Sequence, residues 1–128
     1  MRRILWAVVI LAALCAGSRV DAAIACSGLT YIPVGYASES ITVSTVSIGF
    51  TTTKITPAGA QPAIYANCTL ESNPIRHRED GLDPTSSVGL LVTAGQNIEV
   101  CGQQNIQVVR FIRQGGADGT LQCTYYRF

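Results

Sequence analysis

The chain has 128 residues, of which 48% are hydrophobic and 13% charged. That is enough for one small domain with a packed core, and it excludes two full domains or a disordered chain. Nine lysines and arginines against eight acids give a formal net charge of +1. Arg2, Arg3 and Arg19 all precede position 22. Without them and Asp21, six basic residues face seven acids, so no positive field for a nucleic acid remains.

The first segment is Met1-Arg2-Arg3, a short basic start, followed by an apolar run from Ile4 to Ala16. Gly17-Ser18-Arg19 breaks the run, and Val20-Asp21-Ala22 places small residues where a signal peptidase needs them. This pattern predicts a secretory signal peptide over 1–22 and a mature chain starting near Ala23. The apolar run is shorter than the ~20 residues a membrane span needs, so no stable span is expected after its removal. Leu14 stands where a lipoprotein signal wants a small residue before its cysteine, which disfavours a lipid anchor on Cys15. Export would leave Cys26, Cys68, Cys101 and Cys123, an even set that predicts two disulfides with all three connectivities open. Zinc fails on spacing, because the four are far apart and the single histidine is His77.

Residues 23–39 read as an N-terminal extension and 40–128 as the folded domain. No helix of ordinary length announces itself there; short β-rich runs alternate with turn residues instead. Ile41–Val43 and Val46–Phe50 are rich in β-branched residues. Ala63–Leu70 alternates, with Ile64, Ala66, Cys68 and Leu70 on one face. Pro74–Glu79 follows, then a turn at Asp80-Gly81, then Val88–Val92 and Ile98–Cys101. Asn105–Arg113 is the longest apolar run, and the glycine-rich 114–119 connects it to Thr120–Arg127. There Leu121, Cys123 and Tyr125 share the core face. About seven or eight short strands predict an all-β fold, an antiparallel β-sandwich of jelly-roll type. Cys68 and Cys123 both face inward, so a bridge between them is sterically reasonable. Tyr125, Tyr126 and Phe128 make a sticky last strand, which suggests an inter-subunit contact.

Charge concentrates in PIRHREDGLDPT, residues 74–85. Alternation puts His77 on the opposite face from Arg76 and Arg78, and Ser72, Ser86 and Ser87 lack a nucleophile-elbow sequence. His77 therefore reads as a surface or strand-packing residue, and no catalytic residue is expected. Glu79, Asp80 and Asp83 could offer oxygen ligands to calcium, but their spacing lacks the alternation of a dedicated loop. They read as a salt-bridged turn, with no metal and no cofactor. Asp80-Gly81 turns the chain because glycine accepts positive φ. Arg110 shares a strand face with Val108 and Ile112, so its stem is expected to be part-buried and its head group to meet a carboxylate or backbone carbonyls, with Glu79, Asp80 or Asp83 as candidate partners. Asn67-Cys68-Thr69 matches a glycosylation sequon, but a buried, bridged Cys68 would make the match accidental.

Three elements together resemble a known group. They are PIRHREDGLDPT with Ser87-Val88-Gly89-Leu90-Leu91, then Ala94-Gly95-Gln96-Asn97-Ile98, and last NIQVVRFIRQGGADGTLQCTYYRF. The pattern resembles small virion structural proteins of tailed phages and prophages, head-decoration or fibre-like, over roughly residues 40–128. The resemblance implies a non-enzymatic β-sandwich subunit that acts by subunit or lattice contacts. It gives Arg76, Arg78, Asp80, Gly81, Pro84, Thr85, Arg110 and Arg113 a framework role, and it carries over no catalytic residue. The implied partners are copies of the chain or capsid subunits, and the location is the virion. The alternative is an exported, disulfide-stabilised sandwich that binds a glycan or a surface protein through loops such as 80–87 and 114–119. An intact mass measured before and after reduction and alkylation tests the leader and the cysteines together. The exported reading expects a chain starting near Ala23 with two bridges, whereas a full-length, fully reduced chain would contradict it.

Overall fold

A computed structural model describes residues 32–128. The leader, its cleavage site, Cys15 and Cys26 lie outside the described residues. The fold is all-β, with seven strands in two antiparallel sheets. The strands are β1 (Val34–Val43), β2 (Tyr65–Leu70), β3 (Ile75–Arg78), β4 (Leu90–Val92), β5 (Asn97–Cys101), β6 (Arg110–Arg113) and β7 (Gly119–Arg127). One sheet has the order β1-β7-β2-β5 and the other β4-β3-β6. β1 starts at Val34, inside the stretch read as an extension, because 34–40 pairs in register with the end of β7.

Alternation decides which side of each strand is buried. Ala66, Cys68 and Leu70 of β2 point inward, as do Ile98 and Val100 of β5 and Leu121, Cys123 and Tyr125 of β7. Ile75 of β3 and Phe111 of β6 join the same core cluster. Phe50 comes from the long connection after β1 and packs against both Phe111 and Tyr125, with centroids 5.2 Å away in each case. Burying such aromatic and aliphatic side chains stabilises each by roughly 1.5–3 kcal/mol relative to exposure.

Cys68 and Cys123 stand directly opposite each other in the β2–β7 register and are disulfide-bonded, with Cα atoms 4.0 Å apart. The bridge closes a sequence separation of 55, which in the chain-entropy account is worth about 4 kcal/mol. Cys101 is disulfide-bonded as well. Cys68 is thus both buried and bridged. Its neighbour Asn67 in the formal sequon is half-buried, with Oδ1 sealed from solvent.

Three strand expectations need correction. The run 105–113 is not one strand: helix α2 (Gln103–Val108) occupies its first part and β6 its second. Gly102, with φ of 91°, ends β5, and the Asn105 side chain donates to the Cys101 carbonyl at 3.0 Å. Ile106 is the buried residue of α2 while Gln103, Gln104 and Gln107 face solvent, and Val109, just past the helix in extended backbone, is buried on the way into β6. One-sided burial of this kind marks a short helix inside an apolar-looking run. The stretch 46–50 forms no named strand. It touches β6 through a single bridge, in which Ile48 and Phe111 exchange both backbone hydrogen bonds. Last, β7 is an inner strand, held between β1 and β2, and of the three terminal aromatics only Phe128, just past it, is exposed. Tyr125 is in the core, and Tyr126 stacks on Tyr65 across the pair at 5.1 Å. Helix α1 (Thr52–Ile55) is a single turn that buries Ile55.

Replacing Cys68 and Cys123 together by Ala is expected to lower the unfolding free energy by roughly 2–5 kcal/mol in urea titrations. A loss under ~1 kcal/mol would mean that the bridge constrains little beyond what the two strands already hold.

Candidate functional site

β3 runs into the charged turn found in the sequence, and its arginines brace the loop beyond it. Arg76 and Arg78 lie on the outer face, while Ile75 and His77 point inward. Arg76 reaches across the loop: Nε donates to the Ser86 carbonyl at 2.9 Å and Nη1 to the Gly89 carbonyl at 2.8 Å. Arg78 makes a two-pronged pair with Asp80, Nε to Oδ1 at 3.0 Å and Nη2 to Oδ2. This pairing has a local cause. Arg78 stands directly across from Arg110 in the β3–β6 register, and like charges facing each other are unfavourable unless a carboxylate neutralises one. The guanidinium hydrogen bond holds the Asp80 carboxyl below its ordinary range, and the same bond raises Arg78.

Asp80 also organises the turn that follows, since the Leu82 N–H donates to its Oδ1 at 3.2 Å. Gly81 carries φ of 80°, and Pro84 is buried under the loop. The Thr85 hydroxyl accepts from the N–H groups of Ser87 and Val88, while Thr85 N–H donates to the Val88 carbonyl at 3.0 Å. Gly89, which the sequence shows only as part of the pattern after the turn and without a role of its own, completes the brace. Its φ is 122°, and a Cβ there would sit 2.9 Å from the His77 carbonyl. The signal was present as the second glycine of the motif, but only the folded loop shows why no side chain fits.

This polar scaffold turns apolar side chains outward. Leu82 is 59% exposed and Leu90 64%, with Val88 and Leu91 about half exposed. β4 pairs with β3 on one side only, so this stretch forms an edge of its sheet.

The other expected site residues lie elsewhere or act differently. Asp83 is exposed on the loop and makes no ion pair among the described residues. Arg113 pairs with Asp118 at 2.8 Å and closes the β6–β7 connection. Arg110 does not meet Glu79, Asp80 or Asp83. Asp80 is taken by the nearer Arg78, Glu79 shares the inward side with His77, and Arg110 donates instead to the Val109 carbonyl at 3.0 Å. Among the described residues, no group of three or more His, Cys, Asp or Glu side chains converges as a metal site would.

His77 is 6% exposed, with its ring 6.1 Å from that of Phe111. Nε2 faces Glu79 Oε1 at 3.5 Å, and Nδ1 is buried without a hydrogen-bond partner. Burial lowers its pKa below the ordinary 6.5, against the opposing pull of Glu79. The serines considered beside it serve the backbone: Ser72 Oγ accepts from Thr120 N–H, and the Ser86 carbonyl accepts from Arg76. Compared with protein-family models, curated proteins and solved structures, the chain matches none of them.

Because the folded-state pKa of His77 is depressed, the unfolded chain takes up this proton more readily. The stability of the neutral ring is fully present above pH 6.5 and is lost as pH falls through 6.5 toward the folded value. The thermal midpoint is therefore expected to drop between about pH 7.5 and 5.5, and His77→Gln should flatten that part of the profile. An unchanged profile in His77→Gln would place the titrating group elsewhere.

Proposed function

We propose that the chain is a non-enzymatic structural and interaction subunit of jelly-roll type. On this reading it works by packing the 82–91 face against copies of itself or subunits of a particle, in the manner of the phage virion proteins it resembles. The observation that carries the reading is a loop fixed by Arg76, the Arg78–Asp80 pair and Thr85 that still exposes Leu82, Val88, Leu90 and Leu91. A loop already held in place loses little freedom on docking, and exposed apolar side chains gain by leaving water. Topology supports the jelly-roll part. The 44–48 segment lies along the outer side of β6, with Arg113 N–H donating to the Ser44 carbonyl at 2.9 Å beyond the Ile48–Phe111 bridge. Counted as a reduced eighth strand, it gives two four-stranded sheets, an arrangement shared by viral capsid and lectin domains.

A second reading is an exported binding module for a glycan or a surface protein. The Cys68–Cys123 bridge favours it, because disulfides persist in oxidising compartments.

Sedimentation velocity over a concentration series tests the first reading. The wild-type chain is expected to self-associate. A Leu82→Ser/Leu90→Ser variant should associate at least tenfold more weakly, since each buried Leu is worth roughly 1.5–3 kcal/mol. A wild-type chain that stays monomeric throughout and fails to bind particles would overturn it.

A further inference from the structure

At the other side of the three-stranded sheet from β4, the connection after β1, helix α1 and the start of β6 border an open groove of about 750 Å³. Ser47, Thr51, Thr52 and Gln107 line it with hydroxyls and an amide, Ile48 supplies an apolar wall, and Arg110 supplies the charge. Three observations single out this guanidinium. First, Arg110 is half-buried, and among the described residues no carboxylate lies within ion-pair distance of it. Its one hydrogen bond there, to the Val109 carbonyl, leaves four of its five N–H donors for other partners. Second, Gly49 leaves the space in which the head group lies, since a Cβ at that position would come 2.5 Å from Nη1. Third, Thr51, Thr52 and Gln107 of the same lining are exposed, so their hydroxyls and amide beside the guanidinium are open to a polar ligand.

From these we infer that the groove binds a carboxylate-bearing sugar, such as a uronic-acid residue of an acidic glycan. The planar guanidinium matches a carboxylate through two parallel N–H···O bonds. Side-chain hydroxyls at Thr51 and Thr52 suit the ring hydroxyls of a sugar, and Ile48 suits its apolar face. One cation lines the groove and no lysine does, which matches a singly charged carboxylate better than a doubly charged phosphate. The inference rests on the glycan-binding reading and gives it a site other than the 80–87 and 114–119 loops expected from the sequence. It does not depend on self-association, because the 82–91 face belongs to the opposite edge of the sheet.

The test is a backbone-amide NMR titration of the full chain with glucuronate, glucose and acetate as probes. Glucuronate is expected to shift amides in 47–56 and 107–110, and to bind at least about tenfold more tightly than either glucose or acetate. Arg110→Gln should abolish that preference over glucose. Gly49→Ala should weaken glucuronate binding by crowding the guanidinium, with thermal melts confirming that both variants fold. The Leu82→Ser/Leu90→Ser variant should bind glucuronate as the wild type does, which separates the groove from the self-association face. Absence of shifts, equal binding of glucose or acetate, or full retention in folded Arg110→Gln would each overturn the assignment.

Discussion

Everything in this domain hangs on the position of β7. It is hydrogen-bonded to β1 along one side and β2 along the other, and its inward residues Leu121, Cys123 and Tyr125 form the floor of the core. The disulfide sits at the middle of the β2–β7 register, between Ala66↔Tyr125 and Leu70↔Leu121. Covalent, hydrogen-bonded and apolar contacts therefore coincide on the same pair of strands. The second sheet has shorter strands and leans on this one through Ile75, Phe111 and Phe50.

The Tyr125 hydroxyl extends that dependence outward. It donates to Glu39, which also accepts from Thr51 N–H at 3.1 Å. Burial and the Glu39 charge raise the Tyr125 pKa, so the phenol stays protonated as a donor. Thr51 begins the short helix that borders the Arg110 groove. One carboxylate thus joins the core strand to the groove wall, and neither Glu39 nor Thr51 carries a sequence motif that would have revealed this.

How much of this was legible in the sequence follows from the range of each interaction. Alternation of period two reads one strand at a time: it puts Cys68 and Cys123 on the inward side and separates His77 from Arg76 and Arg78, without saying which of those two faces is buried. It could not distinguish Ile106 in a helix from the same residue in a strand, because short apolar runs satisfy both periods. Turn chemistry is likewise local, so Asp80-Gly81 could be read directly. The partners of Arg76 and Arg110 are set by tertiary approach: one guanidinium reaches backbone carbonyls ten or more residues away, and the other lies over Gly49. Last-strand exposure was misjudged for the same reason. Aromatic content says that a strand seeks contact, but not whether its own sheet supplies that contact.

Pairing β1 with β7 also has a kinetic consequence. Val43 meets Gly119 and Val34 meets Arg127, so the chain's most remote strands must find each other before the larger sheet closes. Such high contact order makes folding slow and keeps the chain open until residues 119–127 have been synthesised. The Cys68–Cys123 bridge waits on the same event, because Cys123 lies on β7.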